Sequence, residues 1–289
     1  MTKRIYQYFI GLLAIAIFNP ALAETSVWKI SKGDHHLYMG GTVHVLSKAD
    51  YPLPPSFEKA YQLSHSIVLE TDMQRLQDPE FQQHMIAELS YTSGRSLADV
   101  LSAETFQKLE NHCAQRGIPL EGIVHFKPGL VSTVLLITEL QRLGLVGEGV
   151  DDFYYTKAIG DQKKLGKLET AEAQVQFMAT MGQGKEDEMI EYALSDIADL
   201  SKLMTDLKLA WRTGDMQSLK EIAIQPYFEK FPETFDVLLN QRNTAWVPKI
   251  ESLLKTAEVE FVLVGVLHFV GEQGLLAQLK ARGYKIEHF

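Results

Sequence analysis

The sequence predicts an α/β fold in which a central mixed, largely parallel β-sheet is flanked by helices and carries a large helical insertion. Three observations lead to this prediction. Short β-like runs occur near both ends of the chain, apolar residues recur at helical spacing from Pro79 to about Gly144, and several β-like runs end in a histidine or a carboxylate. No low-complexity linker or shift in composition divides the chain, which favours one domain over residues 24–289.

The first 23 residues have the layout of a secretory signal peptide. Lys3 and Arg4 precede an apolar run from Phe9 to Phe18, and Ala21-Leu22-Ala23 supplies the small residues of a cleavage site. A membrane anchor is the alternative, but the run is shorter than the roughly 20 apolar residues that a spanning helix needs. We therefore expect cleavage after Ala23, a periplasmic or secreted mature protein, and no stable insertion in the membrane.

The composition excludes some classes of partner. The formal net charge is -9 at pH 7, and loss of the two basic residues of the predicted signal would make the mature chain more acidic. Such a surface argues against a nucleic-acid partner. Cys113 is the only cysteine, so no internal disulfide can form, and we expect its thiol to be buried among apolar residues. Nothing in the sequence sets the oligomeric state.

The mature chain begins with a predicted β-hairpin. Ser26–Ile30 and His36–Met39 are its two strands, and the turn residues Ser31–Asp34 lie between them. The second strand leads into a double glycine, which permits a sharp exit and places His44 just past the strand end.

Three further β-like runs end in groups that can carry chemistry. Ser66–Leu69 is followed by Glu70, the run at Gly166–Thr170 contains Glu169, and Glu260–Leu267 is followed by His268.

The remaining apolar patterns predict helices. Asp151 is expected to be the N-cap of a helix over Val150–Ile159, although a role in the site stays open. Further along, the pattern predicts one long helix, a second helix, and a pair separated at Pro248; their ranges are Glu186–Arg212, Met216–Phe228, Pro232–Asn240 and Trp246–Lys255.

Two stretches share one motif, Gly-x-x-His after a β run, at Gly41–His44 and Gly265–His268. In open α/β sheets, ligands bind beyond the carboxyl ends of parallel strands, so both histidines would meet Glu70 and Glu169 if their strands are neighbours. Two imidazoles and two carboxylates suit a divalent metal, which would lower the pKa of bound water for hydrolysis. The alternative is that each glutamate caps or pairs at the surface.

The chain resembles the TraB/GumN-like proteins, which are related to the Tiki metalloproteases and more remotely to the erythromycin esterase and ChaN-like folds. The resemblance spans nearly all of the mature chain, and the order and spacing of its segments are specific. The matching segments are Gly41–His44, Ile67–Glu70 with Asp72, Gly149–Asp151, Lys167–Thr170 with Gln174, Arg242-Asn243 with Trp246, and Gly265–His268 with Gly271 and Gly274.

By analogy with the Tiki branch, the resemblance implies metal-dependent peptide hydrolysis with His44, Glu70 and His268 as metal ligands and Glu70 also catalytic. Glu169 matches the second acidic position of the family. Arg242 and Asn243 match a polar pair that would orient substrate or stabilise an oxyanion. The cofactor expected is a divalent ion, manganese, cobalt, iron or zinc, and the substrate a peptide or small molecule.

Two other functions remain open from the sequence. A non-catalytic protein that captures haem, a metal or another small ligand would also use His44 and His268, since the related ChaN-like fold includes a haem binder. An accessory role in polysaccharide export is suggested by the family name alone. Membership in such a family does not by itself establish catalysis.

Overall fold

The structure is a computed structural model that describes residues 25–289. The predicted signal peptide, residues 1–23, lies outside the described residues. In the part of the chain that the structure describes, no helix has the length and apolar character needed to span a bilayer.

The chain forms a six-stranded sheet and a separate two-stranded sheet. The strands are β1 (Val27–Lys32), β2 (His35–Thr42), β3 (Val45–Leu46), β4 (Ser66–Leu69), β5 (Gly147–Glu148), β6 (Lys164–Lys167), β7 (Glu260–Gly265) and β8 (Lys285–His288). The large sheet has the order β6-β4-β7-β2-β1-β8, and the small sheet pairs β3 with β5. Strands β6, β4, β7 and β2 are parallel, whereas β1 is antiparallel to both of its neighbours. This is the mixed, mostly parallel sheet that the sequence predicts.

Helices surround the sheet and form the insertion. They are α1 (Pro55–Leu63), α2 (Met73–Leu76), α3 (Pro79–Glu88), α4 (Ala103–Arg116), α5 (Pro128–Arg142), α6 (Val150–Gly160), α7 (Ala171–Thr180), α8 (Glu186–Ala198), α9 (Leu200–Thr213), α10 (Met216–Leu219), α11 (Gln225–Lys230), α12 (Pro232–Phe235), α13 (Arg242–Leu253) and α14 (Leu275–Ala281). Two π-helical segments, Lys220–Ile224 and Asp236–Gln241, connect α10 to α11 and α12 to α13.

Strands β1 and β2 form the β-hairpin that the sequence predicts. Val27 pairs with Gly40, and the turn at Gly33 has a φ of 61°, a conformation that glycine adopts without steric cost. The buried face of β2 continues into β7, where Tyr38 pairs with Phe261. Because β7 lies at the centre of the sheet, its side chains from Phe261 to Val264 are apolar and almost wholly buried.

The helical insertion has a core of its own. Leu97, Leu109, Val131 and Leu135 are buried there with apolar residues of α8, apart from the main core around the sheet. Cys113 is in this second core and is 1 % exposed, as the sequence predicts. Helices α5 and α7 approach closely, since a Cβ on Gly129 would lie 2.3 Å from the carbonyl oxygen of Met178.

The long helix predicted from Glu186 to Arg212 is two helices, and that prediction was wrong. The helices α8 and α9 meet at Asp199, whose φ of -106° and ψ of 9° depart from helical values. Ile190 and Ile197 of α8 pack in the core of the insertion, whereas Trp211 of α9 packs in the main core. Burial in two different cores requires a change in helix direction at that point.

The predicted break at Pro248 was also wrong, because α13 continues through this residue. A proline inside a helix costs about 3 kcal/mol through the lost hydrogen bond and a steric clash. Trp246, Val247 and Ile250 are each fully buried in the main core. Burial stabilises the fold by about 1.5–3 kcal/mol for each such side chain. The stabilisation from these three residues together therefore exceeds the free-energy cost of the proline.

Candidate functional site

The two Gly-x-x-His motifs begin side by side. Thr42 of β2 pairs with Gly265 of β7, so both motifs leave the sheet at its carboxyl-end edge. Gly41 is required there, since a Cβ at this position would lie 2.7 Å from Cγ2 of Val266. After the strands end, His44 lies in the turn before β3, and His268 lies in the 3₁₀ turn Val266–Phe269.

Three predicted side chains converge over Gly265. A Cβ at this residue would lie 3.2 Å from Oε1 of Glu70, 3.5 Å from Nε2 of His44 and 3.7 Å from Cδ2 of His268. Glu70 directly follows β4, which is paired with β7, and its Oε1 accepts the backbone N–H of Gly265 at 2.6 Å. The missing side chain at Gly265 therefore opens a space that these three groups share.

Asn243 fixes the protonation of His268. The Asn243 amide group donates to the carbonyl oxygens of His268 and Gln273, at 3.3 and 3.0 Å, so its Oδ1 can only accept. This oxygen is 2.7 Å from Nδ1 of His268, which therefore carries the proton. The lone pair is left on Nε2, which lies 3.8 Å from Oε1 of Glu70. Burial lowers the pKa of His268 to about 3, so the imidazole is neutral at pH 7.

His44 has a different partner, Asp151. Its Nδ1 lies 3.0 Å from Oδ1 of Asp151, which leaves Nε2 directed towards the space over Gly265. The carboxylate of Asp151 raises the pKa of His44 above its usual value. Because 60 % of the His44 side chain is exposed, solvent screens part of this attraction. The two histidines of the site thus differ in burial and in their tendency to carry a charge.

The contact between His44 and Asp151 corrects one sequence prediction. The N-cap of α6 is Gly149, and Asp151 lies within the first turn. Strands β3 and β5 bring the two segments together, and a Cβ on Gly149 would lie 2.3 Å from the carbonyl oxygen of His44. The role in the site that the sequence left open for Asp151 therefore has a structural basis, whereas the capping role does not.

Arg242 joins both carboxylates. Its Nη2 lies 2.6 Å from Oε2 of Glu70 and 2.6 Å from Oε1 of Glu169. Its Nε donates to both oxygens of Glu169, at 3.1 Å, and its Nη1 lies 3.3 Å from Nε2 of His268. Only 10 % of the Arg242 side chain is exposed. The guanidinium is therefore a buried cation between two buried or partly buried anions rather than a solvated surface group.

Arg242 also explains why Glu70 stays ionised. Burial alone would raise the pKa of Glu70, but His268 and the Arg242 guanidinium outweigh it and lower that pKa to about 2. Since His268 is neutral at pH 7, the permanent charge of Arg242, the neighbouring His44 and the N–H of Gly265 are the groups that stabilise the carboxylate there.

Trp246 is a member of the site to which the sequence assigned no role. It lies one turn after Arg242 on α13, and its indole N–H donates to Oε2 of Glu169 at 3.0 Å. Its ring packs against that of His268, with centroids 4.4 Å apart, and lies 4.6 Å from the guanidinium carbon of Arg242. The available signal was the helical spacing of Arg242, Asn243 and Trp246 on a segment interrupted by proline.

All six residues selected from the sequence lie in this cluster: His44, Glu70, Glu169, Arg242, Asn243 and His268. Among residues 25–289, no three or more His, Cys, Asp or Glu side chains are already arranged to hold a metal ion. Arg242 occupies the position between the two glutamates that a cation would otherwise fill. The ring of His35 contacts the carbonyl oxygen of Thr256, at 2.7 Å from Nδ1.

Comparisons with known proteins give a family for the chain. A protein-family model described as the TraB/PrgY/gumN family matches residues 26–288. YbaP of Escherichia coli strain K12, described as an uncharacterized protein, is 26 % identical over 257 residues, covering 86 % of this chain and 89 % of the relative. YbaP of Shigella flexneri matches with the same identity and coverage. No solved structure gives a significant match. The chain belongs to the TraB/PrgY/gumN family.

Proposed function

We propose that the protein is a metal-dependent hydrolase that acts on peptide bonds outside the cytoplasm. The observation that carries this proposal is the convergence of Glu70, His44 and His268 over Gly265, at the carboxyl ends of adjacent parallel strands. Export is supported by the signal-like sequence of residues 1–23.

The chemistry of the side chains fits a divalent ion. His268 is neutral, and Asn243 holds its proton on Nδ1, so the Nε2 lone pair, which lies 3.3 Å from Nη1 of Arg242, is the one that a metal would use. Glu70 is ionised. His44 has a carboxylate on its other ring nitrogen, as metal-bound histidines commonly do, and metal binding there would release a proton from Nε2. The side chains supply donor atoms that suit a divalent ion, but in this structure they are not already arranged around one position.

A bound divalent ion would supply a nucleophilic hydroxide near neutral pH and polarise the substrate carbonyl. The protein groups have separate tasks. Glu70 accepts a proton, Asn243 and Asp151 hold the two imidazoles in place, and the positive charge of Arg242 stabilises the developing oxyanion. Glu169 and Trp246 position Arg242 for this task.

Elemental analysis of the untagged protein tests the metal site. Wild type, supplied in turn with manganese, cobalt, iron and zinc, is compared with His44→Ala/His268→Ala and with a matched control, His35→Ala/His84→Ala, at two exposed histidines. We expect near-stoichiometric metal in wild type and control, and loss of that metal in the site variant. Metal absent from all three proteins under every supply would reject the proposal in favour of a non-catalytic ligand-binding protein.

Hydrolysis is tested on the same proteins. Tryptic peptides of casein are incubated with each metal-loaded protein and with Glu70→Gln, and new termini are identified by mass spectrometry. We expect cleavage by wild type and control and at least a hundredfold slower cleavage by Glu70→Gln, since a positioned general base contributes about 10²–10⁴-fold. Equal cleavage by wild type and Glu70→Gln would identify a contaminating peptidase and count against the proposal.

A further inference from the structure

A cavity of about 240 Å³ lies near Arg242. It is bounded by the end of α7 on one side and by α12 and the π-helical segment that follows it on the other. Much of its wall is apolar and comes from five side chains, Phe177, Met181, Phe231, Val237 and Leu238. We call these five residues and the space between them the apolar subsite. Lys185 and Glu233 also line the cavity, and their opposite charges leave no formal net charge there.

Two contacts join the apolar subsite to the site of proposed chemistry. The ring of Phe177 lies 5.7 Å from the guanidinium carbon of Arg242. The carbonyl oxygen of Leu238 accepts a hydrogen bond from Nη1 of the same guanidinium at 3.3 Å. A substrate carbonyl held near the charge of Arg242 would therefore have its neighbouring side chain within reach of the cavity.

Part of the subsite wall is held in place by packing. Phe231 is buried and its ring contacts those of Tyr192 and Tyr227, with centroids 5.1 and 5.6 Å apart. The turn after α7 is closed by Gly182, which has a φ of 73° and would place a Cβ 2.8 Å from Met189. A preformed apolar cavity needs little reorganisation to receive a side chain.

A second cavity of about 530 Å³ lies against the same end of α7. Thr180, Met181 and Gln183 line both. The second cavity is more polar and includes Arg95 and Lys127 as well as Glu88 and Glu186. An extended chain is long enough to contact both spaces, whereas a small molecule would occupy one of them.

We propose that the substrate is an extended polypeptide and that the apolar subsite binds a large apolar side chain, phenylalanine, leucine or methionine, next to the scissile bond. This inference rests on the proposed function and names the substrate class of the same site. The volume is sufficient, because an engineered cavity of roughly 150 Å³ already holds benzene. The matching of apolar wall to apolar side chain gives the subsite its selectivity.

Binding of two capped peptides tests the subsite without any need for turnover. Acetyl-Gly-Phe-Gly-amide and acetyl-Gly-Gly-Gly-amide are titrated calorimetrically into metal-free wild type and into Val237→Trp, which fills the cavity. Val146→Trp is the matched control, because Val146 is an exposed valine that does not line the cavity. We expect the phenylalanine peptide to bind wild type and control at least about tenfold more tightly than the glycine peptide, from the burial of one aromatic side chain. In Val237→Trp the two peptides should bind equally.

A second variant keeps the test valid if Val237→Trp does not fold. Met181→Ala enlarges the cavity and is expected to shift the preference from the phenylalanine peptide to its tryptophan counterpart. Equal binding of the phenylalanine and glycine peptides to wild type, or a preference unchanged in both Val237→Trp and Met181→Ala, would overturn the subsite.

The cleavage sites in the casein peptides separate the two proposals. A large apolar residue at one fixed position from the cleaved bond supports both. Cleavage without such a preference, with equal peptide binding, overturns the subsite and keeps the hydrolase. Selective peptide binding with no cleavage under any metal supply overturns the proposed hydrolase activity. The apolar subsite then stands as part of a peptide-binding protein.

Discussion

Asn243 determines which nitrogen of His268 can bind a ligand: its Oδ1 lies 2.7 Å from His268 Nδ1, and its amide nitrogen is already committed to two backbone carbonyls. The proton is therefore held on Nδ1, and Nε2 presents its lone pair to the space shared with Glu70 and His44. Asn243 is 2 % exposed, so no water replaces it as the partner of His268.

Asn243→Ala is expected to release this constraint. Without the acceptor, the proton of His268 would exchange between the two ring nitrogens, and metal affinity should fall about 10–100-fold. Nitrogen-15 NMR of the histidine side chains in metal-free protein reports the tautomer, and a metal titration reports the affinity. Asn240→Ala, in the π-helical segment just before α13, is the control and should leave both unchanged. A single Nδ1–H tautomer retained in Asn243→Ala would contradict the role assigned to Asn243.

The Arg242 guanidinium is expected to be important for stability as well as for chemistry. Arg242→Met leaves Glu70 and Glu169 partly or wholly buried without their cation, and breaking a buried pair in this way typically costs about 3–5 kcal/mol. The free energy of unfolding from urea titration measures the effect. The control is Arg75→Met, an exposed arginine that also has two carboxylate partners, Asp78 and Glu172. Exposed ion pairs contribute about 0–1 kcal/mol to stability. An equal decrease in the free energy of unfolding in the two variants would therefore show that the burial of Arg242 does not strengthen its ion pairs.

Much of the site follows from the sequence because it depends on strand ends. A β run followed by His44, Glu70, Glu169 or His268 is visible locally, and parallel strands bring their carboxyl ends to one edge. The order β6-β4-β7-β2 makes these four strands neighbours, so the sheet alone gathers the four side chains.

The remaining contacts depend on relations that no local pattern shows. Asp151 meets His44 through the pairing of β3 with β5, and each strand has only two residues. Strands this short have no periodicity to detect. Arg242 lies in the first turn of α13, whereas the sequence pattern began this helix at Trp246, and the orientation of the helix depends on the burial of Trp246 and its neighbours in the tertiary structure. The family resemblance identified Arg242 and Asn243 but not their partners.

A second buried ion cluster, remote from the site, gives a prediction for pH dependence. Glu139 on α5 is 2 % exposed and pairs with Arg116 at 3.0 Å and Arg142 at 2.5 Å. The hydrogen bonds from Arg142 and then Arg116 lower the pKa of Glu139 in the folded protein, against the opposing effect of burial. Its contribution to stability is therefore complete above the unfolded-state pKa of about 4.3 and is lost as the pH falls through the lower folded-state value.

Glu139→Gln is expected to lower the free energy of unfolding at pH 7 by roughly 1–3 kcal/mol and to flatten its decline between about pH 5 and pH 3. Urea unfolding at a series of pH values measures both quantities. Glu121→Gln, at an exposed glutamate, is the matched substitution and should follow wild type. A Glu139→Gln curve parallel to that of wild type below pH 5 would show that Glu139 has no depressed pKa in the folded protein.

Gly265→Ala tests the space in which the site is centred. The backbone at Gly265, with φ of -48° and ψ of 131°, is accessible to any L-residue, so the substitution introduces no backbone strain. The added methyl would lie 3.2 Å from Oε1 of Glu70 and 3.5 Å from Nε2 of His44, between the groups proposed to hold the metal. We expect at least a tenfold loss of metal affinity by calorimetry, with a change in the free energy of unfolding of no more than about 1 kcal/mol.

The control is Gly160→Ala at the end of α6, where an added Cβ meets nothing within 4 Å. It makes the same chemical change and should keep wild-type metal binding. If Gly265→Ala bound metal as tightly as Gly160→Ala, the ion would have to lie away from the point where Glu70, His44 and His268 converge, and the ligand set proposed for it would be wrong. If both variants lost metal together with stability, the effect would belong to glycine replacement in general rather than to the space over Gly265.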